Sequence, residues 1–273
     1  DISDEGNWEG KSIPHTPRSV ERVASRLGIA PEALRASVEA GRAALYEARR
    51  QRVPPGLDDK VLTAWNGMML GAMAEGARVL GEPRYLAAAG RAADFLLAAL
   101  RRPDGRLLRT FRAGQAHLDA YLEDYAFLAE GMVDLYEAGG SIRYLREAAM
   151  LADRIRSEFG TAAEGFYDTA RDHEPLIVRL KDGADGAVPS ANAAAAAVLA
   201  RLACHVDRPE LREAAADAIQ AYARRIVQHP RAFCRSLWVV DFLLEGPVEL
   251  AFVGAAGDPA LAALRTAVAR RYL

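Results

Sequence analysis

Polar and apolar positions along this chain follow two alternating schedules. Residues 32–50 carry Leu34, Val38, Gly41 and Leu45 on one stripe with charges elsewhere, which predicts an amphipathic outer helix. Residues 63–80 hold only Glu75 and Arg78 as charges, so this helix is apolar nearly all round and is predicted to be surrounded by protein. Residues 84–101 return to the amphipathic pattern, with Leu86, Ala89, Ala93, Leu96, Leu97 and Leu100 facing inward. The alternation continues through 120–138 (apolar), 143–158 (amphipathic), 190–206 (apolar), 209–228 (amphipathic, with Pro209 at a first-turn position) and 232–244 (apolar).

The pattern repeats. Leu62 and Leu122 lie 60 residues apart, and Tyr85 and Tyr144, each opening an outer helix, lie 59 apart. Each unit reads inner helix, turn, outer helix, then a glycine-containing loop, at Asp104-Gly105 and Glu164-Gly165. A helical hairpin of this kind cannot bury its own apolar face and must stack on its neighbours. An open solenoid and a closed ring both achieve that. The long loops at 102–118 and 160–189 favour the ring, since long irregular loops are usually functional. Stretches 105–112 and 164–180 are expected to hold short strands over the ring mouth. The predicted fold is therefore all-α, an incomplete (α/α)6 toroid spanning 1–246, with a small βα tail at 247–273 packed on it. In that tail, 247–253 reads as a strand, 254–258 as a turn and 259–271 as a helix. Because the first predicted helix is an outer one, its inner partner is expected upstream, and the chain reads as a fragment.

Composition agrees with helices: 51% of the residues are hydrophobic and alanine alone supplies about a fifth. The net charge of −2 gives no pull toward nucleic acid or an anionic membrane. No apolar run is long enough to span a bilayer, and no signal peptide opens the sequence, so a cytoplasmic protein is expected. Cys204 and Cys234 form neither a zinc nor a disulfide pattern and are read as buried core thiols. His117, His173, His205 and His229 are scattered, so no metal site is predicted. No glycine-rich nucleotide loop or G-x-S-x-G elbow occurs, and no cofactor is expected.

Five stretches carry a family resemblance. They are Leu57-Asp58-Asp59-Lys60-Val61-Leu62-Thr63-Ala64-Trp65-Asn66-Gly67, Gly6-Asn7-Trp8-Glu9-Gly10-Lys11, Leu122-Glu123-Asp124-Tyr125-Ala126, Gly165-Phe166-Tyr167-Asp168-Thr169 and Pro189-Ser190-Ala191-Asn192. Together they resemble the thioredoxin-domain-containing, spermatogenesis-associated family. The resemblance implies a thioredoxin-like domain followed by an (α/α)6 toroid similar to N-acylglucosamine 2-epimerases and six-hairpin glycosidases. It implies that this chain is the later part of the toroid, whose partner would be the missing N-terminal part of the same protein. Ser12-Ile13-Pro14-His15 departs from the family's pattern after Gly10-Lys11. No histidine occupies the first turn of an inner helix, so epimerase catalysis by histidine pairs does not carry over.

In a helical ring the entries to the inner helices converge on one mouth, and polar residues there form the natural site. Asp59, Glu123 and Asp124 are the candidate catalytic carboxylates, suited to acid–base work on sugars when held on different helices. Asp58, Lys60, Trp65, Asn66, Tyr125, Ser190 and Asn192 are the candidate substrate-binding residues. The competing role for these acids is capping helix N-termini, and Ser190 is a good N-cap. Glu130 and Asp134 are expected to pair with arginines such as Arg154, and loop 171–189, with Lys181, Asp182 and Asp185, could lid the mouth. Three functions follow. One is a carbohydrate-active or carbohydrate-binding toroid with epimerase-, isomerase- or glycosidase-like chemistry on a sugar or other small ligand. The second is a catalytically silent scaffold that supports a redox thioredoxin domain and binds a protein partner. The third is a pure helical-repeat interaction module.

Overall fold

A computed structural model describes residues 3–161, 165–255, 257–269 and 271. The chain folds as two units, Asp1–Asp58 and Asp59–Leu273. In the first, Trp8 and Lys11 pair across a tight turn whose φ angles are 48° at Glu9 and 72° at Gly10. The Asn7 side chain ties the turn to the next segment, donating to the Ile13 carbonyl at 2.9 Å and accepting from its N–H at 2.7 Å. The Gly6-to-Lys11 motif thus builds a turn. Helix α1 (Val20–Leu27), which the pattern did not predict, starts on a Ser19 cap and stops at Gly28 with φ 68°. Helix α2 (Pro31–Arg50) contains no buried residue. Its predicted inward stripe is half-covered at Leu34 and Val38 and exposed at Leu45; within this unit the helix packed on it is the short α1.

The second unit contains three helical hairpins. They are α3 (Thr63–Leu80) with α4 (Pro83–Ala99), α5 (Leu122–Gly139) with α6 (Ile142–Arg154), and α7 (Ala191–His205) with α8 (Pro209–Gln220). Helix α9 (Ala223–Gln228) completes the predicted outer segment 209–228, and α10 (Cys234–Glu245) packs on α7. The inner helices run in order α3, α5, α7, α10, each against the next, while α4, α6 and α8 back them. Alternating apolar and amphipathic segments therefore become alternating layers. Helix α7 shows why: from Asn192 through Ala200 every residue is buried, and five consecutive alanines leave room for close neighbours on all sides.

The tightest approach is between α3 and α5. A Cβ added at Gly67 would sit 2.6 Å from the Leu128 nitrogen, and one at Gly131 would sit 2.5 Å from the Gly67 carbonyl oxygen. Glycine is required at both because backbone meets backbone. Met69, expected inside, is 53% exposed. Ala195 is fully buried.

A three-stranded antiparallel sheet, β1 (Val61–Leu62), β2 (Leu108–Arg112) and β3 (Gln115–Asp119), leads into α3. Val61 pairs with Phe111, and Thr110 pairs with His117. The two-residue turn Ala113-Gly114 has φ of 50° and 80°, the mirror-image geometry that suits a twisted hairpin. Alanine is a poor choice for the first position, so Ala113→Asn is expected to raise stability by about 0.5–1 kcal/mol, read as a higher thermal midpoint.

The tail departs from its expected form. Residues 247–253 make no strand pairing, and the helix appears as α11 (Pro259–Ala269), resting on α3, with Arg265 donating to the Ala138 carbonyl at 2.8 Å. Alternation of apolar residues alone does not make a strand when no neighbouring edge is within reach. Ala256 of the predicted turn and Arg270 of the predicted helix lie outside the described residues. So does Glu164, in the second stretch expected to hold strands; the rest of that stretch contributes a single bridge, Gly160 to Phe166. Cys234 is exposed rather than buried, because the core-facing positions at the start of α10 are Phe233 and Ser236; Cys204 is half-buried. No helix among the described residues is long and apolar enough to cross a membrane.

Candidate functional site

The entries of α5 and α7 meet at a cleft of about 370 Å³. Its walls include Tyr121 and Glu123 from the start of α5, Asp168 and Thr169 from the segment between Phe159 and α7, Asp182 from loop 171–189, and Ser190 from the start of α7. The loop is fixed to the helices by its own backbone. The Leu122 N–H donates to the Asp168 carbonyl at 2.9 Å, and the Asp168 N–H to the Leu180 carbonyl at 2.9 Å. The loop expected to lid the mouth therefore supplies one wall of the cleft.

Glu123 is half-buried and ion-paired with Arg109 at 2.6 Å. The same Arg109 nitrogen reaches Asp124 at 3.1 Å, and the guanidinium carbon lies 4.7 Å from the centre of the Tyr121 ring. Burial pulls Arg109 down, but the Asp124 and Glu123 carboxylates outweigh it and hold the guanidinium above its usual range. Asp168 is the perturbed acid of the cleft. Burial pushes its carboxyl up to about 6, opposed by the Asp182 N–H and reinforced by the carboxylates of Asp182 and Glu123.

The remaining sequence candidates take other places. Asp124 is fully buried behind the cleft wall. Its Oδ1 accepts from the Ala64 N–H at 3.0 Å, and its Oδ2 from the Tyr121 N–H at 2.9 Å and from Arg109. It closes the N-terminus of α5 onto itself and staples α3 to it, a capping and bridging geometry with no free oxygen. Burial, against those bonds, pushes its carboxyl up to about 6. Tyr125 is buried against Phe159 with its hydroxyl accepting from the Leu107 N–H at 2.9 Å, and burial pushes that phenol up to about 12.

Asn192 is also buried. Its oxygen accepts from the Phe166 N–H at 2.8 Å, and its amide donates to the carbonyls of Phe166 at 3.0 Å and Asp182 at 3.1 Å. It is the pin that holds both cleft loops to α7. Ser190 caps α7 by accepting from the Ala193 N–H at 3.2 Å, while its own N–H donates to Asp185 at 2.9 Å.

The stretch around Lys60 is dispersed. Asp59 is exposed and pairs with Arg112 of β2 at 2.6 Å; Lys60 is exposed, and Asp58 closes the first unit. Trp65 is 63% exposed on α3, and Asn66 donates to the carbonyl of Leu62, the residue just before its helix, at 2.8 Å. None of these five lines the cleft. Pattern reasoning passed over Asp168 and Tyr121. Asp168 stood inside the quoted Gly165-to-Thr169 stretch, and the signal was an acid in an otherwise small and aromatic loop motif. Glu130 and Asp134 pair with arginines as expected, but with different ones. Arg235 of α10 binds Glu130, and Arg201 of α7 binds Asp134 at 2.6 Å and Glu137 at 2.8 Å, whereas Arg154 binds Glu158 of its own helical run. Among the described residues no group of three or more His, Cys, Asp or Glu is placed to hold a metal ion.

Hairpins stacked inner against inner, with loops gathered at one mouth, place the second unit among the (α/α)6 toroids. Solved structures share that fold at low identity. They include a D-mannose isomerase (14% identity, TM-score 0.52, covering 62% of this chain and 44% of that one). A cellobiose 2-epimerase from Bacillus thermoamylovorans B4167 aligns with 16% identity and TM-score 0.50, over 60% of this chain and 44% of that one. A family 105 glycoside hydrolase of C. acetobutylicum ATCC 824 aligns with 11% identity and TM-score 0.50, over 75% of this chain and 61% of that one. By sequence the chain is homologous to spermatogenesis-associated protein 20. It is 34% identical to the Homo sapiens protein over 238 residues, which is 83% of this chain and 30% of that protein. With the Rattus norvegicus protein it shares 36% identity over 208 residues, 72% of this chain and 26% of that protein. The chain thus spans about 30% of the length of these curated relatives. No protein-family model matches it.

Proposed function

We propose that the cleft between the α5 and α7 entries is a carbohydrate site with acid–base chemistry of the isomerase, epimerase or glycosidase kind. The observation that carries this reading is the pairing of two unlike carboxyls in one cleft. Asp168 is pushed up to about 6 by burial, and Glu123 is held beside the Arg109 guanidinium. An acid able to hold its proton near neutral pH beside an anionic carboxylate is the division of labour that proton transfer at a sugar requires. Asp168 is the proton donor in this reading, Glu123 the acceptor, and Asp182 positions the ligand. Asp59, exposed and paired to Arg112, and Asp124, consumed as a cap, take no part in proton transfer. The fold's occurrence in an isomerase, an epimerase and a glycoside hydrolase supports the ligand class.

The test is turnover and binding of neutral mono- and disaccharides. Asp168→Asn and Glu123→Gln are each expected to lower turnover by about 10²- to 10⁴-fold while shifting the thermal midpoint little. Activity is expected to fall as pH rises through about 6, as Asp168 loses its proton. Full activity in both variants would sink the assignment.

A second reading, the catalytically silent scaffold, is favoured by one observation. Asp124, Tyr125, Ser190 and Asn192 all spend their polar groups on holding the fold. It predicts that the same two variants change neither binding nor stability.

A further inference from the structure

The cleft carries a charge asymmetry that the acid–base reading does not use. Its described lining holds three acidic side chains, Glu123, Asp168 and Asp182, and neither lysine nor arginine. The cations nearby are committed elsewhere. Arg109 bridges Glu123 and Asp124, and the Lys181 ammonium sits 4.4 Å from the centre of the Tyr167 ring and 3.4 Å from the Thr161 hydroxyl. One guanidinium shared between two carboxylates leaves the wall negative.

A second, independent feature points to a ligand. Thr169 lines the cleft, is only 9% exposed, and its hydroxyl oxygen has no hydrogen-bond partner. A buried hydroxyl left unpaired costs about 1–3 kcal/mol, so such groups are normally satisfied by something, and this one belongs to a residue of the cleft wall. On another wall, Asp182 spends Oδ1 on the Ala184 N–H at 3.1 Å.

We propose that this cleft binds a ligand carrying a protonated amine together with hydroxyl groups, the ammonium facing Asp182 and a hydroxyl reaching Thr169, and that it rejects carboxylated or phosphorylated ligands. The proposal rests on the carbohydrate reading above and narrows it to an amino-bearing class. The physical reason is selective: an ammonium in a cleft walled by carboxylates gains Coulomb energy that a neutral amide cannot, and an added anion loses it. The preference weakens as salt screens the wall.

The test compares three probes by calorimetric titration against this chain: the glucosamine disaccharide, its di-N-acetyl counterpart and a glucuronyl disaccharide. The first two share a skeleton and differ in charge. The amine is expected to bind at least about tenfold tighter than the acetylated form at low ionic strength, with the glucuronyl probe weakest. Asp182→Asn, which keeps the Oδ1 acceptor for the Ala184 N–H, is expected to bring the first two within about twofold of each other by weakening the amine far more than the acetylated form. Thr169→Val is expected to weaken both by about fivefold with the thermal midpoint unchanged or higher.

Equal affinity for the first two probes, or tightest binding of the glucuronyl probe, overturns the amine selectivity and leaves the carbohydrate reading standing. No binding of any probe to a folded chain overturns both. Thr169→Val with unaltered affinities removes the hydroxyl from the proposed site and overturns its role.

Discussion

Asp124→Ala is expected to destabilise the second unit by about 3 kcal/mol. The carboxylate has no exposed atom and receives the Ala64 N–H at 3.0 Å, the Tyr121 N–H at 2.9 Å and Arg109 at 3.1 Å. Removing it strands one buried N–H on α3 and another at the start of α5, and frees half of Arg109's charge partnership. Loss of an exposed N-cap alone costs about 0.5–2 kcal/mol, so the excess measures the staple to α3. Asp124→Asn does not rescue it, since an amide placed for Oδ1 to meet Ala64 turns its NH2 toward the Tyr121 N–H and Arg109. Urea unfolding followed by far-UV circular dichroism gives the number, and a loss below about 1 kcal/mol would show that the bridge contributes nothing.

The pH dependence has a definite sign. Asp124's carboxyl is raised from 3.8 to about 6 in the folded state, so the native chain binds that proton more tightly than the unfolded chain. Its contribution is complete below about pH 4 and declines as pH rises through about 6. Asp168 is raised over the same window and adds a slope of the same sign. The wild-type minus Asp124→Ala difference isolates Asp124, and stability differences that grow with pH across that window would contradict the assignment.

Gly131→Ala is expected to cost about 2 kcal/mol, and Gly67→Ala about the same. Alanine is the better helix former by about 1 kcal/mol, so propensity alone predicts stabilisation, and the two effects compete. Packing wins because the contacting atoms are backbone and cannot rotate away. The added carbon at Gly131 would meet the Gly67 carbonyl oxygen at 2.5 Å and the Leu70 Cβ at 2.9 Å. At Gly67 it would meet the Phe127 carbonyl carbon at 2.6 Å. Relief requires α3 and α5 to part, which stretches the Ala64–Asp124 bond one turn away and shifts Glu123 with it. These glycine variants are therefore expected to lose ligand binding along with stability, whereas Gly114→Ala in the exposed hairpin turn would leave binding intact. A stabilised Gly131→Ala would show that the helices already have room.

The layering was legible because burial leaves a compositional mark. A helix enclosed on every side, such as 63–80 or 190–206, must lose nearly all its charges, and one enclosed on a single side keeps them on the other. The same logic located the entries of the inner helices and hence Glu123 and Ser190 at the cleft. It did not separate Glu123 from Asp124. Adjacent residues on a helix point about 100° apart, so one faces the cleft and the other faces α3, and nothing in the pair of letters tells which. Asn192 failed for a related reason: an amide can bind a ligand or tie down loops, and the choice depends on whether Phe166 and Asp182 arrive beside it.

What the sequence determined by itself was the local and periodic: eight predicted segments of correct type between 32 and 244, the cap at Ser190 and the first-turn proline at Pro209. Those depend on neighbours three and four residues away, which the sequence displays directly. Only the tertiary structure decided that 247–253 would find no strand partner, that Arg201 and Arg235 rather than Arg154 would answer Glu130 and Asp134, and that Asp168 would share a cleft with Glu123. Each of these depends on residues tens of positions apart being brought within a few ångströms, and on how much water that leaves between them. Charge, burial and hydrogen bonding at such points are properties of the packed assembly of helices, and no single segment carries them.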